Sequence, residues 1–198
     1  MNARFALLAV IWATDVAAQD CRVIADDVER LACYDRAAGR DGDAAAADTN
    51  GKWTGSQHTD PLTDSTITTL SLIAETSTSC YGRKPAMIVR CGPRKLDVYI
   101  KHGCYAPGDE GRHQLWVRFD DAKPVATYFT SDTTDGSVGI WGTTAATTFL
   151  ARLIPADRFV IEVVPYRDPP QSIVFDLRGL AKTLRDSGMG CGVEELVK

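Results

Sequence analysis

The fold is decided by the stretch Ala86-Met-Ile-Val-Arg-Cys-Gly-Pro-Arg-Lys-Leu-Asp-Val-Tyr-Ile100. Apolar and polar residues alternate along both of its arms, which is the pattern of strands that bury one face. Between the arms lie Gly92-Pro93-Arg94-Lys95, and residues of these types favour a turn. In the antiparallel register that this turn sets, Arg90 faces Asp97, and opposite charges at facing positions stabilise a strand pair. The stretch therefore predicts a β-hairpin, with Cys91 pointing into the core.

Alternation of the same kind recurs on both sides of this hairpin. The further strand candidates are residues 67–74, 114–119, 125–129, 138–141, 158–164 and 172–177. Two other stretches, 144–153 and 179–187, carry apolar residues at helical spacing. About seven short strands with two short helices predict an α+β fold that is mainly β, an antiparallel β-sandwich or half-barrel over residues 61–198.

Residues 1–18 have the organisation of a cleavable secretion signal. A positively charged start precedes an apolar run over residues 5–12, and Val16-Ala17-Ala18 places small residues at the cleavage site. No later stretch reaches about 18 consecutive apolar residues. We therefore predict export to the periplasm, cleavage near Ala18, and no membrane insertion after cleavage.

Residues 19–38 predict a small helical segment held by a disulfide. Asp26 is a suitable N-cap, and Glu29 lies three residues further on, as in a capping box. A helix this short is marginal alone, and a bridge between Cys21 and Cys33 would hold it. Residues 39–60 contain little that can be buried and several turn-forming residues, so we predict a linker there.

The six cysteines are predicted to form three disulfides, because an even number in an exported chain is typical of a disulfide framework. The first two are close together and far from the others, and two more lie at almost equal distances from the hairpin turn. The predicted pairs are Cys21–Cys33, Cys80–Cys104 and Cys91–Cys191. Zinc is the competing interpretation, but the spacings contain no Cys-x2–4-Cys knuckle. We therefore predict no metal site.

Charge and motifs exclude several classes of function. The net charge of −4 gives no long-range attraction for nucleic acid. The sequence contains no phosphate loop, dinucleotide fingerprint, nucleophile elbow or paired zinc-binding histidines. We therefore predict no catalytic residue, no cofactor and no nucleic-acid partner, and hence a protein that is not an enzyme.

One alternative assigns an enzymatic role to two histidines. His102 and His113 flank a turn-rich loop that contains Asp109 and Glu110. A histidine paired with a carboxylate can act as a general base, which would suit a cell-wall hydrolase. A solvated loop is the simpler interpretation.

Two further features have a binding and a structural interpretation. Trp53, Trp116 and Trp141 could form a ligand platform, although most tryptophans of a small β-domain pack in its core. The polar stretch from Ser131 to Gly136 is better explained as a connection than as a metal or sugar site.

Four groups of residues carry a resemblance to a known family. The first is the phrase Cys-x2-Ile-x-Asp-x2-Glu-Arg-Leu-x-Cys-Tyr-Asp, which runs from Cys21 to Asp35. The others are Trp53 with Asp60-Pro-Leu-Thr-Asp64, Ile88-Val-Arg-Cys91 with Arg118-Phe-Asp120, and Phe175-Asp-Leu-x-Gly-Leu180 followed by Cys191. With these groups in this order, the chain resembles the VasI/TagO (EvfG-like) family of type VI secretion system-associated proteins.

The resemblance implies an exported, non-enzymatic accessory or adaptor protein of a type VI secretion system. Its expected partner is an envelope or secretion-system protein, contacted in the periplasm. A periplasmic binding or inhibitor module, similar to an immunity protein, is the first alternative, and the cell-wall hydrolase is the second.

Overall fold

A computed structural model gives the structure of the protein and describes residues 20–25, 30, 33, 34, 51–75, 82, 84–93 and 95–198. The chain divides into two units, Met1–Ala46 and Ala47–Lys198. The predicted signal, residues 1–18, lies outside the described residues. So do the predicted capping residues Asp26 and Glu29.

In the first unit, a disulfide joins the two cysteines of the predicted helical segment. A 3-10 helix spans Asp20–Val23, and the buried Cys21 within it is bonded to Cys33, with 5.5 Å between their Cα atoms. The Arg30 guanidinium donates a hydrogen bond to the carbonyl of Ile24 (3.0 Å). The predicted Cys21–Cys33 bridge is thereby confirmed.

The second unit is built on an antiparallel sheet, which has nine strands among the described residues. The strands are β1 (Thr54–Thr59), β2 (Thr66–Ile73), β3 (Ala86–Gly92), β4 (Lys95–Lys101), β5 (Arg112–Phe119), β6 (Val125–Ser131), β7 (Ser137–Trp141), β8 (Arg158–Val163) and β9 (Gln171–Asp176). Their order across the sheet is β1-β2-β3-β4-β7-β6-β5-β8-β9. The predicted antiparallel, mainly β fold is confirmed.

The central hairpin of this sheet has the register that the sequence predicts. In the pairing of β3 with β4, Arg90 faces Asp97 and Cys91 faces Leu96. Burial alternates along β3, and Arg90 Nη2 lies 3.0 Å from Asp97 Oδ2. The alternation and the turn residues are therefore sufficient to place the apolar side chains of both strands on the buried face.

The two ends of the sheet approach each other without closing it. The N–H of Glu75, just after β2, donates a hydrogen bond to the carbonyl of Val174 on β9 (2.9 Å). The indole of Trp53, just before β1, donates to the carbonyl of Leu177, just after β9 (3.3 Å). Because these strands stand at opposite ends of the strand order, the sheet must curl. The half-barrel alternative describes it.

Two helices occupy the positions that the sequence predicts. Helix α1 spans Thr143–Leu153 and helix α2 spans Leu180–Asp186; a 3-10 helix at Val193–Leu196 follows. The Phe149 ring of α1 meets Phe129 and Phe159 of the sheet edge-on, with centroids 5.7 and 5.9 Å apart. The buried stripe of α1 consists of Ala146, Phe149, Leu150 and Leu153. This spacing is that of an amphipathic helix packed on a core.

Strand β1 corrects the predicted linker over residues 39–60. The sequence Thr54-Gly-Ser-Gln-His-Thr59 pairs with β2 along its whole length, so this part of the stretch belongs to the sheet. Every residue of β1 is exposed, so neither face of this edge strand packs on the core, and pairing with β2 holds it in place. A strand without a buried face has no hydrophobic alternation, so the pattern of residues 54–59 does not indicate a strand.

A second disulfide ties the central hairpin to the end of the chain. Cys91 on β3 is bonded to Cys191, with 6.0 Å between their Cα atoms and a sequence separation of 100. Cys104 is also disulfide-bonded, but its predicted partner Cys80 lies outside the described residues, so that pairing stays a prediction.

No helix in the described ranges is both long and apolar enough to span a membrane.

Candidate functional site: a cleft between strand β6 and helix α1

A cleft of about 690 Å³ opens between β6, β7 and α1. Small-molecule and cofactor sites usually have volumes of roughly 300–1,000 Å³. The lining is largely apolar or weakly polar and consists of Thr127, Tyr128, Thr130, Gly139, Ile140, Trp141, Thr144, Ala145, Thr148, Phe149 and Arg152. Its size and its apolar lining make this cleft the candidate binding site.

The cleft exists because β6 and β7 diverge. They pair only at Thr130 with Gly139 and at Ser131 with Val138. Toward the start of β6 the two strands separate, while β6 stays paired with β5 as far as Val125. Over the first part of β6, one edge is therefore left without a neighbouring strand among the described residues.

Two residues of β6 direct their main-chain N–H and C=O groups toward this gap. The N–H of Ser131 donates a hydrogen bond to the carbonyl of Gly111, just before β5 (2.7 Å). The N–H of Asp132 donates in the other direction, to the carbonyl of Ser137, the first residue of β7 (3.0 Å). Successive residues of a strand point their main-chain groups to opposite edges. The main-chain groups of Tyr128 and Ala126 therefore point to the same edge of β6 as those of Asp132. Within the described part of the chain their N–H and C=O groups have no main-chain partner on that edge.

Trp141 occupies the point where the strands separate. Its indole stacks on Tyr99, with centroids 5.1 Å apart, and its Nε1–H donates to the carbonyl of Thr130 (3.0 Å). A Cβ on Gly139 would lie 2.6 Å from Tyr99 Cβ and 2.9 Å from the indole. Glycine at this position therefore lets the indole lie across β7, where it forms the floor of the cleft.

The carboxylate of Asp97 fixes the turn from β7 into α1. Asp97 is 1% exposed. Its Oδ1 accepts a hydrogen bond from the N–H of Gly142 (3.0 Å), and Arg90 and Lys95 lie 3.0 and 3.4 Å from its oxygens. Gly142 has φ 92°, a conformation that favours glycine. A buried group of β4 thus sets where α1 begins, and α1 is one wall of the cleft.

Substitutions of Asp97 should separate the two kinds of contact. Asp97→Ala is expected to lower the free energy of unfolding by about 2 kcal/mol, because it leaves the Gly142 N–H without its acceptor. Asp97→Asn keeps an acceptor and should lose about 1 kcal/mol or less, because Arg90 and Lys95 are solvent-exposed and remain hydrated when the buried carboxylate is removed. Urea unfolding of both variants measures this difference. Equal losses would assign the stabilisation to the ion pairs.

The outer wall of the cleft is one stripe of α1. Thr144, Ala145, Thr148 and Arg152 are all exposed and lie on the same side of the helix. Arg152 is the charged member of the lining, and its guanidinium lies 4.4 Å from the centroid of the Phe119 ring. No ion pair of Arg152 occurs within the described residues. The cleft is thus apolar along its length, with a positive charge at one end.

The predicted histidines form a separate cluster. His113 on β5 and Ser131 on β6 lie on the same face of the sheet, with His113 Nε2 2.6 Å from Ser131 Oγ. His102 is 2% exposed; its Nδ1 accepts a hydrogen bond from the N–H of Cys104 (3.3 Å). Its Nε2 is buried without a hydrogen-bond partner among the described residues.

Burial lowers the pKa of both histidines and so favours the neutral imidazole. It lowers the pKa of His102 from 6.5 to about 4; His113 lowers it as well, whereas Asp132 opposes the shift. Burial also lowers the pKa of His113, and Asp135 opposes this. Although burial raises the pKa of Asp132, hydrogen bonds from Thr134, Ser137 and Gly136 lower it overall. The stretch from Ser131 to Gly136 is therefore a turn organised by the Asp132 carboxylate, as the structural interpretation predicts.

The acidic partners expected for the histidines lie elsewhere. Asp109 and Glu110 are exposed, and Asp109 forms a main-chain bridge with Arg112. In the described part of the chain, no hydrogen bond or ion pair joins either carboxylate to a histidine. The structure brings Ser131 to His113 instead. Only the strand register of β5 and β6 could have revealed that pair.

The three tryptophans lie in different places. Trp53 is a core residue, 5% exposed. Trp116 on β5 is 56% exposed, and Trp141 lines the cleft. They form no common platform, although one of them serves the candidate site. No cluster of His, Cys, Asp or Glu side chains suited to a metal ion occurs among the residues that the structure describes.

Comparison with known proteins gives a distant structural likeness. No family model matches the chain, and no curated protein matches it. A solved structure that is similar to this chain is that of invasion associated protein B from Bartonella henselae. The two have 13% sequence identity and a TM-score of 0.46, and the match covers 70% of this chain and 92% of that chain.

Proposed function

We propose that this chain is an exported, non-enzymatic accessory or adaptor protein of a type VI secretion system, which acts in the periplasm through protein–protein contacts. The observation that carries the proposal is the bridge between Cys21 and Cys33. These are the two cysteines of the phrase on which the VasI/TagO resemblance rests. Disulfides form and persist in oxidising compartments such as the bacterial periplasm, so the bridge supports export.

The cleft between β6 and α1 supports action by contact. Its lining is apolar apart from hydroxyl groups and Arg152, and concave apolar surfaces with a few polar groups are typical of binding sites. An envelope or secretion-system protein is the partner that the proposal requires.

Deletion of the gene tests the proposal. We expect release of a secreted effector to fall to the level of a strain without the sheath, and wild-type protein to restore it. Thr148→Trp, which fills the cleft from an exposed helix position, should fail to restore release. Ala151→Trp, an exposed position of the same helix outside the cleft, should restore it.

Normal effector release and sheath contraction after the deletion would contradict the proposal. A tight complex with one secreted toxin, formed in a strain without the secretion machine, would instead favour the inhibitor alternative.

The contact between His113 and Ser131 favours a cell-wall hydrolase as a second candidate. The neutral imidazole of His113 lies 2.6 Å from the Ser131 hydroxyl. It could accept the hydroxyl proton as the oxygen attacks a carbonyl carbon. If this candidate is correct, the wild-type protein hydrolyses purified peptidoglycan, and both Ser131→Ala and His113→Ala lose that activity. Unchanged activity in Ser131→Ala would exclude the pair as its source.

A further inference from the structure

We propose that the cleft binds an extended peptide segment of a partner protein, which adds a strand to the free edge of β6 and places an acidic side chain at Arg152. The inference rests on the proposed function, because it specifies the partner chemistry that a contact-mediated adaptor would need. It is carried by three features that the described residues give to the cleft: an unpaired main-chain edge, an apolar floor and the positive charge of Arg152.

The main-chain edge specifies an extended partner. Tyr128 and Ala126 each direct one N–H and one C=O into the gap that β7 leaves open. Unpaired groups on a strand edge are a template for an added strand. The two residues are two positions apart in β6, a spacing of about 6.6 Å in a strand. Alternate residues of an extended peptide have the same spacing and can form the matching hydrogen bonds.

The walls of the cleft specify which side chains the peptide presents. Trp141, Ile140 and Phe149 form an apolar floor, and the facing stripe of α1 carries only small side chains up to Arg152. This combination leaves room beside the edge of β6. Because successive side chains of a strand point to opposite faces, every second residue of the peptide would enter the cleft. Those residues should be apolar, and the ones between them face solvent.

The charge at one end specifies an acidic residue. Among the described residues, Arg152 is the charged member of the lining, and no Asp or Glu lines the cleft. Its guanidinium is held against the face of Phe119, which orients its donors at little further entropic cost. A planar guanidinium binds a carboxylate through two parallel hydrogen bonds. An Asp or Glu side chain of the peptide is therefore the complement of this end.

Selection of a displayed library of random twelve-residue peptides on the full chain provides the probe. The enriched peptides are then synthesised with blocked termini, and their affinities are measured by fluorescence anisotropy. We expect alternating apolar residues with one Asp or Glu. Methylation of the peptide amides that face β6 should weaken binding at least tenfold without changing a side chain.

Three variants examine the three features, with one matched control. Ala126→Pro removes an N–H that faces the gap and leaves the pairing with β5 intact, and proline is tolerated on a strand edge. Thr148→Trp fills the cleft, and Arg152→Glu reverses its charge. Each should weaken binding at least tenfold, whereas Ala151→Trp should not. A peptide whose acidic residue is changed to Lys should bind Arg152→Glu better than it binds the wild type.

Hydrogen exchange provides an independent measurement on the unmodified chain. The amides of Ala126 and Tyr128 should exchange rapidly in the free protein and gain at least tenfold protection with bound peptide. Thermal unfolding of each variant shows whether it is folded.

Enriched peptides that bind Ala126→Pro, Thr148→Trp and the wild type equally well would overturn the inference, and so would a selection that enriches nothing. If peptides fail to bind while gene deletion abolishes secretion, the inference alone is wrong. If peptides bind as expected but deletion leaves secretion normal, the proposed function is wrong and the peptide site stands.

Discussion

Replacement of both Cys91 and Cys191 by alanine is expected to lower the free energy of unfolding of the β-rich unit by about 4 kcal/mol. The bridge closes a loop with a sequence separation of 100. A cross-link that closes a long loop restricts the unfolded chain strongly, and its removal restores that conformational freedom. The effect is large because most single substitutions change stability by only about 0.5–3 kcal/mol.

Single substitutions supply the control. Cys91→Ala alone already removes the bridge, so it should lose nearly the whole 4 kcal/mol or so, and adding Cys191→Ala should change little further. This strong non-additivity is the signature of a shared bond. Urea unfolding under oxidising conditions measures the single variant Cys91→Ala and the double variant. A loss in the double variant below about 1 kcal/mol would show that the bridge adds little to the folded state.

Acidification from pH 6.5 to about 4 is expected to destabilise the protein by about 3 kcal/mol through His102. The folded chain holds the pKa of this histidine at about 4, against 6.5 in the unfolded chain. Between these values the unfolded chain binds a proton that the folded chain does not, so the free energy of unfolding decreases as the pH falls. The free energy of unfolding is therefore not reduced by His102 well above pH 6.5, and the reduction grows as the pH falls toward 4. The lowered pKa of His113 acts in the same direction.

Unfolding measured between pH 7 and 4.5 isolates this effect. The pKa of Asp176, lowered from 3.8 to about 2 by Arg178, affects stability only at lower pH. His102→Asn retains an acceptor for the Cys104 N–H and removes the titrating group. It should therefore flatten most of the pH dependence. An unchanged slope in this variant would assign the dependence to another group.

The predictable part of the fold is the part with a buried face. The β3–β4 hairpin could be placed to the residue, because Met87, Val89 and Cys91 alternate with outward residues and Gly92 opens a turn. The alternation of burial is the same physical fact as the alternation in the sequence. Strand β1 has every residue exposed. Its pairing depends mainly on main-chain hydrogen bonds, which every residue type except proline can form, so the sequence predicts a linker there.

The cleft could not be predicted, because no local pattern encodes the divergence of two strands. It arises where the indole of Trp141 lies over Gly139 and donates a hydrogen bond to the carbonyl of Thr130. Those contacts depend on the register of β6 against β7. The sequence predicts that Trp141 is either a ligand residue or a packing residue, and in the structure it stacks on Tyr99 and lines the cleft. The contact of His113 with Ser131 was missed for the same reason, since the two are neighbours only through strand pairing.

The bond between Cys91 and Cys191 also affects what happens when a protease cuts the chain. Any single cut in a loop between residues 92 and 190 leaves two fragments that remain covalently connected through the sulfur atoms. The nicked molecule would migrate as one species until it is reduced, and its severed strands would stay at high local concentration. A single cut of the main chain in this region therefore does not separate the two fragments as long as the bridge persists.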